Sequence, residues 1–183
     1  MTEELIVRHC SPTLAGMKAG SMFTCPYECY QKVKEDVRQI NRRLRAKGLR
    51  MIPLRFSEKR LLLYLYRISK LNRDLSNELA RELLSKEGYL EEHCNTCIVK
   101  LVEKFRKCEG IPHEVGLFLG YPPEDVHGFI ENRACDYKCS GCWKVYGDEE
   151  EALKTFQKYK ICTEIYCAQW KSGAPLEALA VAG

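Results

Sequence analysis

Residues 49–67 read LRMIPLRFSEKRLLLYLYR. Two arms of β-favouring residues, 49–56 and 60–67, flank the polar Ser57-Glu58-Lys59, which is the pattern of a hairpin. The second arm is apolar on both faces from Leu61 to Leu65, so it is expected to be a central strand. Pro53 has no amide N–H to give to a ladder, which assigns the first arm to an edge or a bulge. A hairpin set among helical periodicities makes the expected class α+β: a single domain over 1–172, with a small mixed β-sheet of about four to six strands, covered by about four to five helices.

Outward from the hairpin, residues 27–47 place Tyr30, Val33, Val37, Ile40 and Leu44 on one helical stripe, with Lys32, Lys34, Arg38, Arg42 and Arg45 opposite and Gly48 as the stop. Residues 69–87 read as helix, interrupted near Asp74–Ser76, with Ser69 and Ser76 as candidate N-caps and Gly88 as the end. In 92–109, Cys94, Cys97, Ile98, Leu101, Val102, Phe105 and Cys108 share a stripe. Cys94-x-x-Cys97 is therefore read as a pair of core thiols rather than a redox or zinc pair. Asp148 and Glu151 open a last helix over 149–170, in which Cys162 and Cys167 flank the apolar stripe. Residues 4–9 are expected to be a short strand, 10–26 a structured loop, 114–120 and 142–146 strands, and 173–183 a loosely ordered C-terminal tail. Tyr121-Pro122-Pro123 turns the chain into a short helix, 124–132.

The chain has 183 residues, 45% hydrophobic and 30% charged. No apolar run approaches the roughly 18 to 20 residues of a membrane span, and MTEELIVRHC lacks the core of a secretory signal. A cytoplasmic protein without a membrane partner is expected. Eleven cysteines in a reducing compartment are not a disulfide framework. Residues 1–73 hold 16 Lys and Arg against 6 Asp and Glu, and 74–183 hold 13 against 19. The basic half could be a solvated face or could dock an acidic partner. Nucleic-acid binding is disfavoured, because no helix-turn-helix, zinc-finger or RNA-sheet pattern accompanies the charge.

RHCSPTLAGMK, RLLLYLYR, PHEVGLFLGYPPEDVHGFIEN, YKCSGCWKVYGDEEEA and CTEIYCAQW together resemble an uncharacterised bacterial family, the domain of unknown function numbered 3793, found mainly in anaerobes. The likeness covers nearly the whole chain. It implies little chemistry. It does imply a setting near flavodoxin and iron uptake, and it draws attention to Cys10, Pro12, Gly16, Lys18, His113, Glu114, Gly120, Tyr121, Asp125, Lys144, Tyr146 and Asp148.

Three constellations could carry chemistry. Cys135-x3-Cys139-x2-Cys142 has the spacing of thiolates around an iron–sulfur cluster in radical S-adenosylmethionine enzymes, but only 41 residues follow Cys142, which excludes their barrel. A cluster or zinc would need a fourth ligand from Cys10, Cys25, Cys29 or an exogenous group, against the bland reading of reduced thiols in a surface loop. Cys10 could be a nucleophile with His113 as base and Glu114 orienting it, and Lys18 or Lys144 holding an anion. His9, Cys10 or Cys25-Pro26 could ligate haem. A pocket is expected where 10–26, 121–125 and 135–144 converge, with Tyr121, Asp125 and Lys144 holding a cofactor. The leading expectation is a thiol-rich protein handling iron, an iron–sulfur cluster or electrons. The alternatives are a small-molecule enzyme built on Cys10, and an adaptor docking flavodoxin or another acidic redox protein.

Overall fold

A computed structural model of the chain describes residues 3–89, 94–107 and 110–183. They are α+β and fall into two compact units, Met1–Lys70 with Ile161–Gly183, and Leu71–Lys160. Among the described residues no helix is long and apolar enough to cross a membrane.

The first unit is built on the hairpin. Strands β2 (Leu49–Phe56) and β3 (Arg60–Arg67) occupy the expected arms. A further strand, β1 (Gly20–Pro26), pairs with β3 on its other side, giving the order β1-β3-β2. β3 is thus central, and β2 is an edge whose register shifts between Pro53 and Arg55, as a missing amide donor requires. The sheet is antiparallel with three strands rather than mixed with four to six. Residues 4–9, expected as a strand, belong to helix α1 (Glu3–Leu14). The β-branched Ile6 and Val7 favour a strand locally, but Ile6, Val7, Cys10 and Leu14 recur at helical spacing and are all buried. The acidic Glu3 and Glu4 also suit the positive end of a helix. Helix α2 (Tyr30–Leu44) continues into a 3-10 turn and stops at Gly48, whose φ of 71° needs glycine. Helices α1 and α2 cover one face of the sheet, where Leu61, Leu63 and Leu65 of β3 join their core. Tyr64 and Tyr66 on the opposite face are buried too.

The tail corrects the sequence reading. Residues 173–183 hold a short helix, Leu176–Leu179, whose Leu176, Leu179 and Ala180 complete the same core. Four residues give no periodicity to read, so their order appears only when there is a core to dock on. Val181 N–H donates to the Leu14 carbonyl at 3.0 Å. Arg67, 2% exposed, donates to the carbonyls of Thr13 (2.8 Å), Leu14 (2.6 Å), Lys47 (3.1 Å) and Val181 (2.7 Å). One guanidinium therefore binds the end of α1, the 3-10 turn and the tail. Burial lowers its pKa. Arg43 of α2 bridges Glu3 of α1 and Glu177 of the tail.

Helix α3 (Ile68–Leu75) leads into the second unit and begins before Ser69, so Ser69 caps nothing. The interruption follows at 76–77, and α4 (Glu78–Lys86) is capped by Asn77, which accepts from Ala80 N–H, rather than by Ser76. Helix α5 (Cys94–Lys107) buries Cys94 and Cys97 among Ile98, Leu101 and Phe105, as core thiols; residues 92–93 and Cys108 lie outside the described residues. Residues 114–120 are not a strand. They hold helix α6 (Val115–Phe118), buried on every side, and a short apolar run that is fully buried carries no period to separate strand from helix. Helix α7 (Pro123–Glu131) follows the proline turn. The expected strand at 142–146 is half of a two-residue ribbon, β4 (Cys139–Ser140) with β5 (Lys144–Val145). Helix α8 (Glu149–Lys171) starts where Glu151 N–H meets Asp148 Oδ1 at 3.0 Å.

Replacing Leu176 with Ala empties a fully buried site and is expected to cost about 2–5 kcal/mol in urea unfolding. The hydrogen bond from Arg43 holds Glu177 down from 4.5 to about 2. A depressed carboxylate stabilises the fold fully above its unfolded pKa and loses that contribution as protons compete. Stability should therefore fall between pH 4.5 and 2, and Glu177→Gln should flatten that limb of the pH–stability curve.

Candidate ligand-binding site

Close contacts among α6, α7 and the ribbon build the site within the second unit. A Cβ on Gly116 of α6 would stand 2.7 Å from Val126 Cγ2, and one on Gly128 would stand 2.4 Å from Tyr146 Cγ. Glycine at these two positions lets α6 lie on α7, and α7 on the chain leaving β5. Asp125, in the first turn of α7 and 3% exposed, locks the arrangement. It accepts from Trp143 Nε1 at 2.6 Å and from the backbone N–H groups of Tyr146 and Gly147, both at 2.7 Å. These are short, charge-assisted bonds, and they fix the Trp143 indole between the helix and the ribbon.

Around this lock lies a cavity of about 420 Å³. Val115, Gly116, Asp125, Val126 and Trp143 form its buried floor, and Tyr121 and Phe129 are half-buried walls. Ile111, His113, Ser140 and Gly141 stand exposed at the rim, Ile111 by 60%. Tyr121 packs on Trp143 with ring centres 4.9 Å apart and 30° between planes, and Phe156 of α8 backs Trp143 edge-on at 4.5 Å. His113 leans on Phe129 at 5.3 Å. Burial, with the nearby Cys142 thiol, pushes the Tyr121 hydroxyl up to about 12, so it stays protonated in neutral solution. Lys144 lines the cavity, yet its ammonium donates to the Ala134 carbonyl at 2.6 Å and sits 4.5 Å above the Tyr137 ring.

Of the residues the sequence singled out, His113, Tyr121, Asp125 and Lys144 meet at this cavity. Glu114 does not serve His113. It is 1% exposed, and its Oε1 takes hydrogen bonds from Tyr89 at 3.0 Å and from Lys104 at 2.6 Å. Burial opposes the Lys104 charge, but the hydrogen bonds it donates to Glu114 and Glu87 outweigh that and raise the Lys104 pKa. Cys10 belongs to the other unit and to a helix rather than a strand end. It is 0% exposed, and burial pushes its thiol far above the usual range, with Lys18 only partly opposing. A nucleophilic cysteine needs the opposite shift, so Cys10 is a core thiol. The segment 10–26 likewise lies in the first unit, while the cavity is lined by the second alone.

The cysteine loop is also not what its spacing suggested. Among the described residues, no three His, Cys, Asp or Glu side chains are grouped so as to hold a metal ion. The ribbon pairs Cys139 with Val145, Cys142 falls in the turn beyond it, and Cys135 is exposed on a loop where Arg133, Ala134 and Asp136 take φ of 47°, 62° and 55°. Sequence spacing permits a common point; this backbone does not bring the three to one. Of the other proposed ligands, Cys25 is buried, Cys29 is exposed, and His9 stacks on Phe23 at 5.6 Å.

Trp143, Phe129, Val126 and Gly116 were not foreseen as site residues. The recurrence of glycine at 116, 128 and 141 beside large aromatic residues was the available signal, since close approach is what glycine permits. The chain belongs to the family described as protein of unknown function (DUF3793), whose model matches residues 6–180. No curated protein and no solved structure matches it.

Asp125→Asn keeps the shape but turns an amide N–H₂ toward one of three donors. It should cost about 1–3 kcal/mol for the orphaned partner, and it should red-shift Trp143 emission as the indole loosens.

Proposed function

We propose that this member of the family is a small-molecule-binding protein whose ligand occupies the cavity between α6, α7 and the ribbon. The observation that carries this reading is the cavity itself: about 420 Å³, within the range of ligand pockets, with an apolar aromatic lining and a few polar groups at its rim. Two further features support it. The exposed Ile111 at the rim is an apolar surface that a ligand would cover. The Asp125 lock preorganises the Trp143 wall before any ligand arrives, which spares the ordering cost on binding. Handling of iron or a cluster by Cys135, Cys139 and Cys142 would first require a loop rearrangement that brings three thiols and a further donor together, so the cavity is the better-supported seat of function.

The chain has two tryptophans, so Trp170→Phe leaves Trp143 as the reporter in the cavity wall. Titration of this variant with a library of one- and two-ring compounds should produce saturable changes in Trp143 emission for a subset of them. Ser140→Phe, which places a ring at the exposed rim, should abolish those changes. No saturable response up to millimolar concentration, or responses indifferent to Ser140→Phe, would remove the proposal.

A further inference from the structure

The geometry points to a ligand class: a neutral, planar molecule of roughly two or three fused rings bearing one hydrogen-bonding group. The inference rests on the binding function proposed above and deepens it.

Charge comes first. The cavity touches one carboxylate and one ammonium, and both are already engaged. Asp125 accepts from Trp143, Tyr146 and Gly147, and Lys144 donates to the Ala134 carbonyl and covers the Tyr137 ring. An anionic or cationic ligand would lose part of its hydration against the apolar floor without finding an uncommitted counter-charge, which is unfavourable. An anion would also face Asp125 and a unit that carries 13 Lys and Arg against 17 Asp and Glu over residues 71–160. A cation would face the Lys144 ammonium.

The uncommitted polar groups are an imidazole and a hydroxyl. Among the described residues, the His113 imidazole and the Ser140 hydroxyl are held by no hydrogen bond or ion pair, and His113 has only its ring contact with Phe129. The imidazole offers two ring nitrogens for hydrogen bonding, and a hydroxyl both donates and accepts. They can match an amide, a hydroxyl or a ring nitrogen at the ligand's outer edge. Size and shape supply the rest. A single benzene ring fits a dry cavity of about 150 Å³, and this one is about 420 Å³. Tyr121, Trp143 and Phe129 line it with aromatic rings, which favour packing against another ring system.

Three probes of one shape separate these terms: naphthalene-2-carboxamide, 2-naphthoate and 2-naphthylmethylammonium, each titrated calorimetrically into the full chain. The carboxamide should bind at least about ten-fold more tightly than either ion, and Ser140→Phe should remove its binding. His113→Phe keeps a ring but removes both nitrogens; it should weaken the carboxamide about five- to ten-fold while leaving 2-methylnaphthalene unchanged. Either ion binding as tightly as the carboxamide would overturn the ligand class and leave the cavity as a binding site. If none of the four compounds binds, both the class and the binding function fall.

Discussion

The Asp125 carboxylate is the constraint from which the second unit takes its shape. It sits in the first turn of α7 with almost no solvent, and it is held by an indole N–H and two backbone N–H groups. A buried ion is tolerated when its lone pairs are filled, and here the filling groups are the ones that must be held in place. A ribbon of two residues per strand has too few ladder bonds to persist alone. Pinned by Asp125 at Trp143, Tyr146 and Gly147, it becomes a rigid wall, and the cavity exists because that wall cannot fall inward onto Val115 and Val126.

The first unit uses a buried ion in the same way but with the opposite sign. Arg67 ends the central strand β3 and gives its N–H groups to four carbonyls rather than to a carboxylate. Those carbonyls belong to a helix end, a 3-10 turn and the tail, where backbone acceptors have no helical partner of their own. Neutral carbonyls satisfy the guanidinium hydrogen bonds without cancelling its charge, which is why burial still lowers its pKa. Glu114 and Lys104 show the third solution, a direct ion pair with Tyr89 adding a further donor. Each of these side chains holds together pieces that are distant in sequence, and each is a polar residue doing so from inside a core.

The legible parts of the sequence were those with a period or a breaker. The hairpin, the central place of β3, the bulge at Pro53, α2 with Gly48, α5 with its core thiols and α8 with its Asp148 cap all carried local signals, and the structure has each of them. The misread segments were short, fully buried or broken by proline: α1, α6 and the tail helix. Helices of four residues bury all sides or dock on a core made elsewhere, so their own residues show no amphipathic pattern. Of the site, the sequence drew attention to His113, Tyr121, Asp125 and Lys144 because of their chemical type. It could not separate Asp125, whose charge is consumed by the fold, from His113, whose nitrogens are not.

Taken alone, the sequence determined the class of the fold, the central hairpin, and the fact that Cys94, Cys97 and Cys162 are interior residues, with Cys167 half-buried, because burial there follows from spacing along a helix. Tertiary structure decided the rest. Whether Cys135, Cys139 and Cys142 meet depends on how the ribbon turns, and the ribbon turns where a carboxylate on a different helix holds it. Whether His113 has a partner depends on where the neighbouring Glu114 finds Lys104. Both are questions of which groups reach each other across long stretches of chain, and residue type with local spacing does not contain that distance.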